Sequence, residues 1–184
     1  MTSAPGSVAL PGVRPPWVNA LAGAGGKDRI KKCHRWPIAL RGMSDEITDS
    51  PTGWVAKHAR RYVESNGAEG HLYHGRPTLL LTTVGRRSGV RRRTPLIYGR
   101  DGDAYVVVAS NGGAADHPLW YHNLLVLPQA EVQVEARTFT ALARTATAEE
   151  KPALWRQMVG IHAEYADYQR RTDRDIPVVI LTPA

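Results

Sequence analysis

Apolar and polar positions along the chain follow a helical period in two regions and a strand period in most of the rest. Apolar residues recur at helical spacing from Trp54 to Asn66, and Asn66-Gly67 is a typical helix end. A second helical pattern covers 148–172, and a short apolar helix is predicted over 119–127, before Pro128. Alternating or short apolar runs predict strands over 78–85, 90–99, 104–110, 131–136, 138–146 and 176–183.

The connections between the predicted strands are short, and this decides the class of sheet. GRRSG over 85–89 and Asp101-Gly102-Asp103 are turn sequences. Most of the other connections are too short for the crossover helix that joins parallel strands. The sequence therefore predicts an α+β fold, a small antiparallel β-barrel with flanking helices, and not a doubly wound parallel sheet.

The formal net charge of +7 lies almost entirely in the first 42 residues. Residues 1–42 contain seven basic residues and one acid, which leaves residues 43–184 with a net charge of +1. Prolines interrupt this segment, so we expect a disordered basic extension or a mis-assigned start, followed by one domain over 43–184. No apolar stretch approaches the roughly 20 residues of a membrane span. We therefore expect a cytoplasmic protein, whose basic tail suits the anionic inner face of a membrane.

The sequence GRRSGVRRR, residues 85–93, places five arginines in nine positions at a predicted hairpin. A glycine-containing turn exposes backbone N–H groups, and guanidinium groups supply forked donors for phosphate or carboxylate oxygens. Strand alternation places Arg91 and Arg93 on one face and Arg92 with Thr94 on the other, so the arginines cannot all bind one ligand. The segment therefore predicts a local anion site. It does not fit a P-loop, because no GK[ST] sequence or helix follows.

Metal and nucleophile chemistry have little support in the sequence. His117, His122 and His162 lack the spacing of known zinc motifs. Cys33 is the only cysteine, so neither a disulfide nor a thiolate cluster can form within the chain. Ser110 has no recognisable base in the sequence, and no GxSxG motif is present. No metal site is predicted.

The segment IHAEYADYQ places His162, Tyr165 and Tyr168 at intervals of three, which is close to one face of a helix. Two interpretations of this spacing remain open. The three side chains are either the outer face of an amphipathic helix, whose phenols reach water, or one wall of a pocket that offers aromatic contact and hydroxyl donors.

Three blocks of the sequence together resemble a known family. LLLTTVGRRSGVRRRTPLIY, VVVASNGGAADHPLWYHNL and YADYQRRTDRDIPVVILTP are similar to segments of the deazaflavin-dependent nitroreductase family of actinobacteria, in the same order, within about residues 54–184. The resemblance implies a split β-barrel related to flavin-binding barrels. It also implies an oxidoreductase that uses coenzyme F420, an 8-hydroxy-5-deazaflavin whose tail carries a phosphate and a chain of glutamates.

The resemblance also implies a role for individual residues. The phosphate and the tail would be held by Arg86, Arg87, Ser88, Gly89 and Arg92. The deazaflavin and its side chain would lie near Thr94, Pro95, Ser110 and Asn123. The acceptor pocket would be lined by Trp54, Ile97, His162, Tyr165 and Tyr168. In the implied reaction an electron-poor acceptor receives a hydride from the reduced coenzyme and a proton from Tyr165, Tyr168, Ser110 or water.

Two positions depart from the best-studied members of that family. His162 and Ile97 stand where nitroimidazole-reducing relatives can carry tyrosines, so nitroimidazole reduction is not implied. Quinones, nitro compounds and conjugated electrophiles remain open as acceptors, and the oligomeric state is open too. Two other functions stay open: a non-catalytic protein that binds deazaflavin or flavin, and a basic nucleic-acid-binding module. The nearly neutral body of the chain counts against the last.

Overall fold

The computed structural model describes residues 47–49 and 53–184, so the predicted extension over 1–42 lies outside the described residues. Two short strands come first, β1 (Ile47–Asp49) and β2 (Leu72–Tyr73). The longer strands are β3 (Arg76–Val84), β4 (Arg91–Asp101), β5 (Ala104–Val108), β6 (Gln129–Val134), β7 (Arg137–Thr145) and β8 (Val178–Pro183). These six pair in the order β4-β5-β8-β7-β6-β3, and β3 also pairs with β4, which closes an antiparallel barrel. The sequence-based prediction of a small antiparallel barrel is confirmed.

Helices surround the barrel at the predicted places, with one difference. They are α1 (Gly53–Glu64), α2 (Leu119–Val126), α3 (Lys151–Ile161) and α4 (Glu164–Arg170). The helical pattern over 148–172 predicted one continuous region, but His162 has φ −143° and ψ 92°, outside the helical range, and separates α3 from α4. Strands β1 and β2 were not predicted, because two or three residues carry no periodic signal.

Side chains of the barrel strands alternate between its interior and its outer surface. The interior is filled by apolar residues from all six strands, among them Leu79, Leu81, Tyr105, Val107, Val132, Ala141, Val179 and Leu181. The alternate residues of β5 and β8 face outward and pack under α3 and α4, among them Val106, Val108, Val178 and Ile180. Burial on both faces explains why LLL, VVV and VVIL are continuous apolar runs with no polar alternation.

Helix α1 is attached to the outer surface of the barrel through Tyr62. The Tyr62 hydroxyl donates to the carbonyl oxygen of Thr78 at 3.0 Å and accepts from the backbone N–H of Glu135 at 2.8 Å. Its ring packs with Ala59 and Leu80. Burial raises the pKa of Tyr62 to about 12, so the phenol stays neutral and can make both bonds. The attachment joins the start of β3 to the turn between β6 and β7.

Candidate functional site

The arginine-rich turn between β3 and β4 is closed by its own backbone. The N–H of Gly85 donates to the carbonyl oxygen of Val90 at 2.8 Å, and the N–H of Gly89 donates to Gly85 at 2.8 Å. Gly89 has φ +68°, a conformation that side-chain-bearing residues rarely adopt, and open space lies where its Cβ would be. The side chains of Arg86, Arg87 and Ser88 are exposed on this turn.

Asn123, on α2, supports the turn from beneath. Its Oδ1 accepts a hydrogen bond from the backbone N–H of Arg86 at 3.1 Å, and its Nδ2 donates to the Oγ1 of Thr83 at 3.1 Å. The side chain is buried. The resemblance implied a place near the deazaflavin, and in the structure the amide ties α2 to the end of β3 and to the turn.

Two of the clustered arginines are neutralised by acids. Arg91 lies 3.0 Å from Glu131 on β6, and Arg93 lies 2.8 Å from Asp49 on β1. In both pairs the side chains are mostly buried. Both arginines lie on the same face of β4, as the strand pattern predicted, and in the structure this face is the outer surface of the barrel. These two guanidinium groups are occupied by structural ion pairs.

The other three arginines remain without an acidic partner within the described residues. Arg86 and Arg87 extend from the turn, and Arg92 is exposed on the opposite face of β4 from Arg91. Arg92 pairs across the sheet with Thr83. The Thr83 hydroxyl accepts a hydrogen bond from Asn123, which also supports the turn, so the three arginines lie around the same end of the barrel. Exposed and unneutralised guanidinium groups around a backbone turn can bind an anion.

Thr94 and Pro95 follow Arg92 on β4 and lie on opposite faces of the barrel wall. Thr94 pairs with Leu81 and shares its interior face, whereas Pro95 pairs with Leu80 and faces outward, toward α1. The resemblance implied that both residues lie beside one cofactor. Strand alternation separates their side chains, although both remain on the strand that carries Arg92.

A second group of predicted residues lies where α3 ends and α4 begins. The ring of His162 is 4.7 Å from that of Tyr165 and 6.0 Å from that of Tyr168, measured between centroids. The two tyrosine rings are 6.2 Å apart. Ile97, from the outer face of β4, packs against the same apolar cluster. The break at His162 therefore brings together residues that the sequence placed on one helix face.

The protonation of this group is shaped by burial. Burial, followed by the positive charge of Arg76, lowers the pKa of His162, so the imidazole is neutral near pH 7. Among the described residues, its buried Nδ1 has no hydrogen-bond partner. Burial also raises the pKa of both Tyr165 and Tyr168. The Tyr168 hydroxyl donates to Oε2 of Glu164 at 2.8 Å. Protonated phenols and a neutral imidazole can exchange a proton with a ligand.

Ser110 lies just after the end of β5. Its carbonyl oxygen accepts a hydrogen bond from the guanidinium of Arg174, and the turn that follows it packs on α4, because Gly113 lies against the backbone of Tyr168. Arg174 was not identified as a site residue from the sequence. No local pattern could have marked it, since it bonds backbone atoms 60 and 64 residues away.

Trp54, on α1, lies in a different cleft from the tyrosines. Its ring stacks on Tyr73 at 5.7 Å between centroids, and the ring is largely exposed. The cleft has a volume of about 570 Å³ and is lined by Trp54, Lys57, His58, Arg61, Glu69, Gly70, Leu72, Tyr73 and His74. A smaller cleft of about 320 Å³ contains His117 and Tyr121. No cluster of metal-ligating side chains is found in the described part of the chain.

A protein-family model described as F420H(2)-dependent quinone reductase matches residues 54–183. The chain belongs to this family. The resemblance noted in the sequence is confirmed, and the family's name implies coenzyme F420 as the source of electrons. The chain is an oxidoreductase by that membership.

Three known proteins are similar to the chain over most of their own length. An F420H(2)-dependent quinone reductase of Mycobacterium tuberculosis is 42% identical over 129 residues, which are 68% of this chain and 87% of that protein. A solved F420-H2 dependent reductase is 39% identical, covers 58% of this chain and 94% of its own, and has a TM-score of 0.54. A solved chain described as a domain-swapped dimer is 38% identical, with a TM-score of 0.56 and coverage of 72% and 99%.

Proposed function

We propose that this member of the family reduces a quinone with electrons from reduced F420. The observation that carries the proposal is the division of the clustered arginines. Arg91 and Arg93 are neutralised, while Arg86, Arg87 and Arg92 are exposed and lack an acidic partner among the described residues. A phosphate and a chain of glutamates are the kind of small polyanion that such a set binds.

In this proposal the turn holds the anionic end of the coenzyme. Arg86, Arg87 and Arg92 would donate to phosphate and carboxylate oxygens, and Ser88 and Gly89 would offer a hydroxyl and an unobstructed backbone. Asn123 would act through the turn, since its amide is already bonded there. The side chain of Thr94 lies inward of Arg92 on the same face of β4, which suits a ring system that continues from the tail.

The acceptor would lie against the aromatic group of His162, Tyr165 and Tyr168. The bound coenzyme supplies a hydride, and a quinone that takes up this hydride and one proton becomes a hydroquinone. Tyr168 is the proton donor that the geometry favours, because its side chain is only partly buried, whereas Tyr165 is buried. Tyr165, His162 and Ile97 would form the apolar wall beside the quinone.

The test is an anaerobic assay with the full chain, reduced F420 and a water-soluble benzoquinone. Loss of the reduced coenzyme, followed by absorbance, should depend on both the protein and the quinone, and NADH should not replace F420. A nitroaromatic compound and an enone in parallel assays separate the three acceptor classes. Coenzyme binding without turnover on any acceptor would favour the non-catalytic binding protein, and no binding at micromolar protein would defeat the proposal.

We also propose that the basic N-terminal segment brings the protein to an anionic membrane surface, where lipid-soluble quinones reside. The support is the net charge of +6 on residues 1–42. No helix of the described residues is long and apolar enough to cross a membrane. The full chain should sediment with vesicles that contain anionic lipid and not with neutral ones, and Lys31→Glu with Lys32→Glu should weaken this binding. Equal sedimentation with both vesicles would defeat the idea.

A further inference from the structure

One guanidinium group holds the loop that carries Ser110. Arg174, between α4 and β8, donates from Nε to the carbonyl oxygen of Ala114 at 2.8 Å and from Nη1 to that of Ala109 at 3.2 Å. Its Nη2 donates to the carbonyl oxygen of Ser110, and Nη1 also lies 2.9 Å from Nδ1 of His117. A guanidinium has five N–H donors in a fixed plane, and here four contacts reach one loop.

The same loop also rests directly on α4. Gly113 has φ +81°, and a Cβ at this position would come within 2.8 Å of the carbonyl oxygen of Tyr168. The loop is therefore in contact with both the Arg174 guanidinium and the backbone of a proposed proton donor. Asn111 and Gly112, in the turn between the two contacts, are exposed and so are not held by burial.

We propose that Arg174 is a positioning residue for hydride transfer, which keeps Ser110 and Tyr168 at the boundary of one reaction space. The inference rests on the proposed function and adds a residue that neither the family resemblance nor the sequence pattern assigned. Arg174 itself would not contact the reacting atoms, because its donors are directed at backbone carbonyls and at His117. Its loss should slow the chemical step much more than it weakens the binding of the coenzyme's anionic tail.

His117 makes this arrangement sensitive to pH. Its Nδ1 can accept from Arg174 only when the imidazole is neutral, and burial, followed by the charges of Arg174 and His122, lowers the pKa of His117. Asp116 and Asp175 act in the opposite direction. The groups that surround the ring are Arg174, Asp116, Tyr121, His122, Lys151 and Asp175. The contact is therefore complete at neutral pH and is lost as the pH falls through the lowered pKa.

The test compares Arg174→Lys with Arg170→Ala, a control at an exposed arginine of the same region that pairs with Asp167. Lysine keeps the charge, but a single ammonium cannot reach the four acceptors. We expect Arg174→Lys to lower kcat at least tenfold while the Kd of F420 changes less than about threefold. The control should change neither. A kcat within about twofold of wild type would overturn the proposal, as would a parallel loss of kcat, coenzyme affinity and thermal stability.

Two further measurements separate positioning from general stability. His117→Asn supplies an acceptor that does not titrate, so the fall of kcat on the acidic side of the pH profile should shift or disappear, whereas an unchanged acidic limb would refute the role of His117. Hydrogen exchange at the amides of Gly113 and Ala114 should be faster in Arg174→Lys than in the wild type. Equal exchange rates in the two proteins would show that Arg174 does not hold the loop. If the wild type reduces no quinone, the proposed function fails, and the exchange contrast still decides whether Arg174 holds the loop.

Discussion

Replacing Arg92 tests the anion site, and Arg91 provides a matched control one residue away. Arg92 is exposed on the inner face of β4, whereas Arg91 is largely buried in its pair with Glu131 on the outer face. A hydrogen bond to a charged group contributes about 1.5–3 kcal/mol. Because Arg92 is exposed to solvent, which screens the interaction, we expect a value near the lower end. Arg92→Gln should therefore raise the Kd of F420 by about 10–30-fold.

Arg91→Gln should lower the stability of the protein and leave its affinity for F420 unchanged. The variant leaves Glu131, whose side chain is 24% exposed, without its cation. Removing one partner of a partly buried pair should lower the free energy of unfolding by about 1–3 kcal/mol, less than for a fully buried pair. The coenzyme Kd should stay within about twofold of wild type. Fluorescence titration of F420 and urea denaturation measure the two quantities on the same preparations.

An equal rise of the F420 Kd in both variants would contradict this assignment, because alternation along β4 would then not divide the roles of Arg91 and Arg92. An unchanged Kd in Arg92→Gln would place the anion site elsewhere. The salt dependence is a further check, since raising the ionic strength should weaken coenzyme binding by the wild type more than by Arg92→Gln. Glu131→Gln should reproduce the stability loss of Arg91→Gln and leave the Kd unchanged.

Three other substitutions test the supports of the site. Asn123→Ala leaves the turn amide unpaired and should lower the free energy of unfolding by about 2–3 kcal/mol, measured in urea, with a raised Kd for F420. Gly113→Ala puts a Cβ against the backbone of α4 at a positive φ, so we expect a loss of about 1–3 kcal/mol and a lower kcat. Tyr62→Phe removes two hydrogen bonds and should cost about 1–3 kcal/mol without changing the Kd of F420. Because the pKa of Tyr62 is raised to about 12, the wild type should lose this contribution only above about pH 10.

Each of these expectations has a contrary outcome. Unfolding free energies within about 0.5 kcal/mol of wild type would show that the corresponding contact is not formed in solution. If the Asn123→Ala variant loses stability but keeps its affinity for F420, the turn that Asn123 supports is not part of the anion site. Gly112→Ala is the control for Gly113→Ala, because it has a similar positive φ but nothing near its Cβ position.

The sequence alone predicted the features that depend on neighbouring residues. Periodicity located the six barrel strands and α1, and the short connections between the strands predicted an antiparallel barrel. Alternation along β4 placed Arg91 and Arg93 on the opposite face from Arg92, and the register of β3 with β4 agrees. Because most of the net positive charge lies in residues 1–42, the arginines of the turn form a local cluster on a nearly neutral domain. These predictions succeed because the pleat of a strand and the geometry of a turn are set by adjacent residues.

Contacts between side chains that are far apart along the chain depend on the tertiary fold. Arg93 finds Asp49 44 positions away, Asn123 holds the turn from 37 positions away, and Arg174 reaches Ser110 across 64. No periodicity links such positions, since the barrel register and the packing of the helices bring them together. The break between α3 and α4 belongs here too, because His162 leaves the helix where its ring is buried against Tyr165. Local pattern thus located the arginines, and only the fold decided which of them remain available to a ligand.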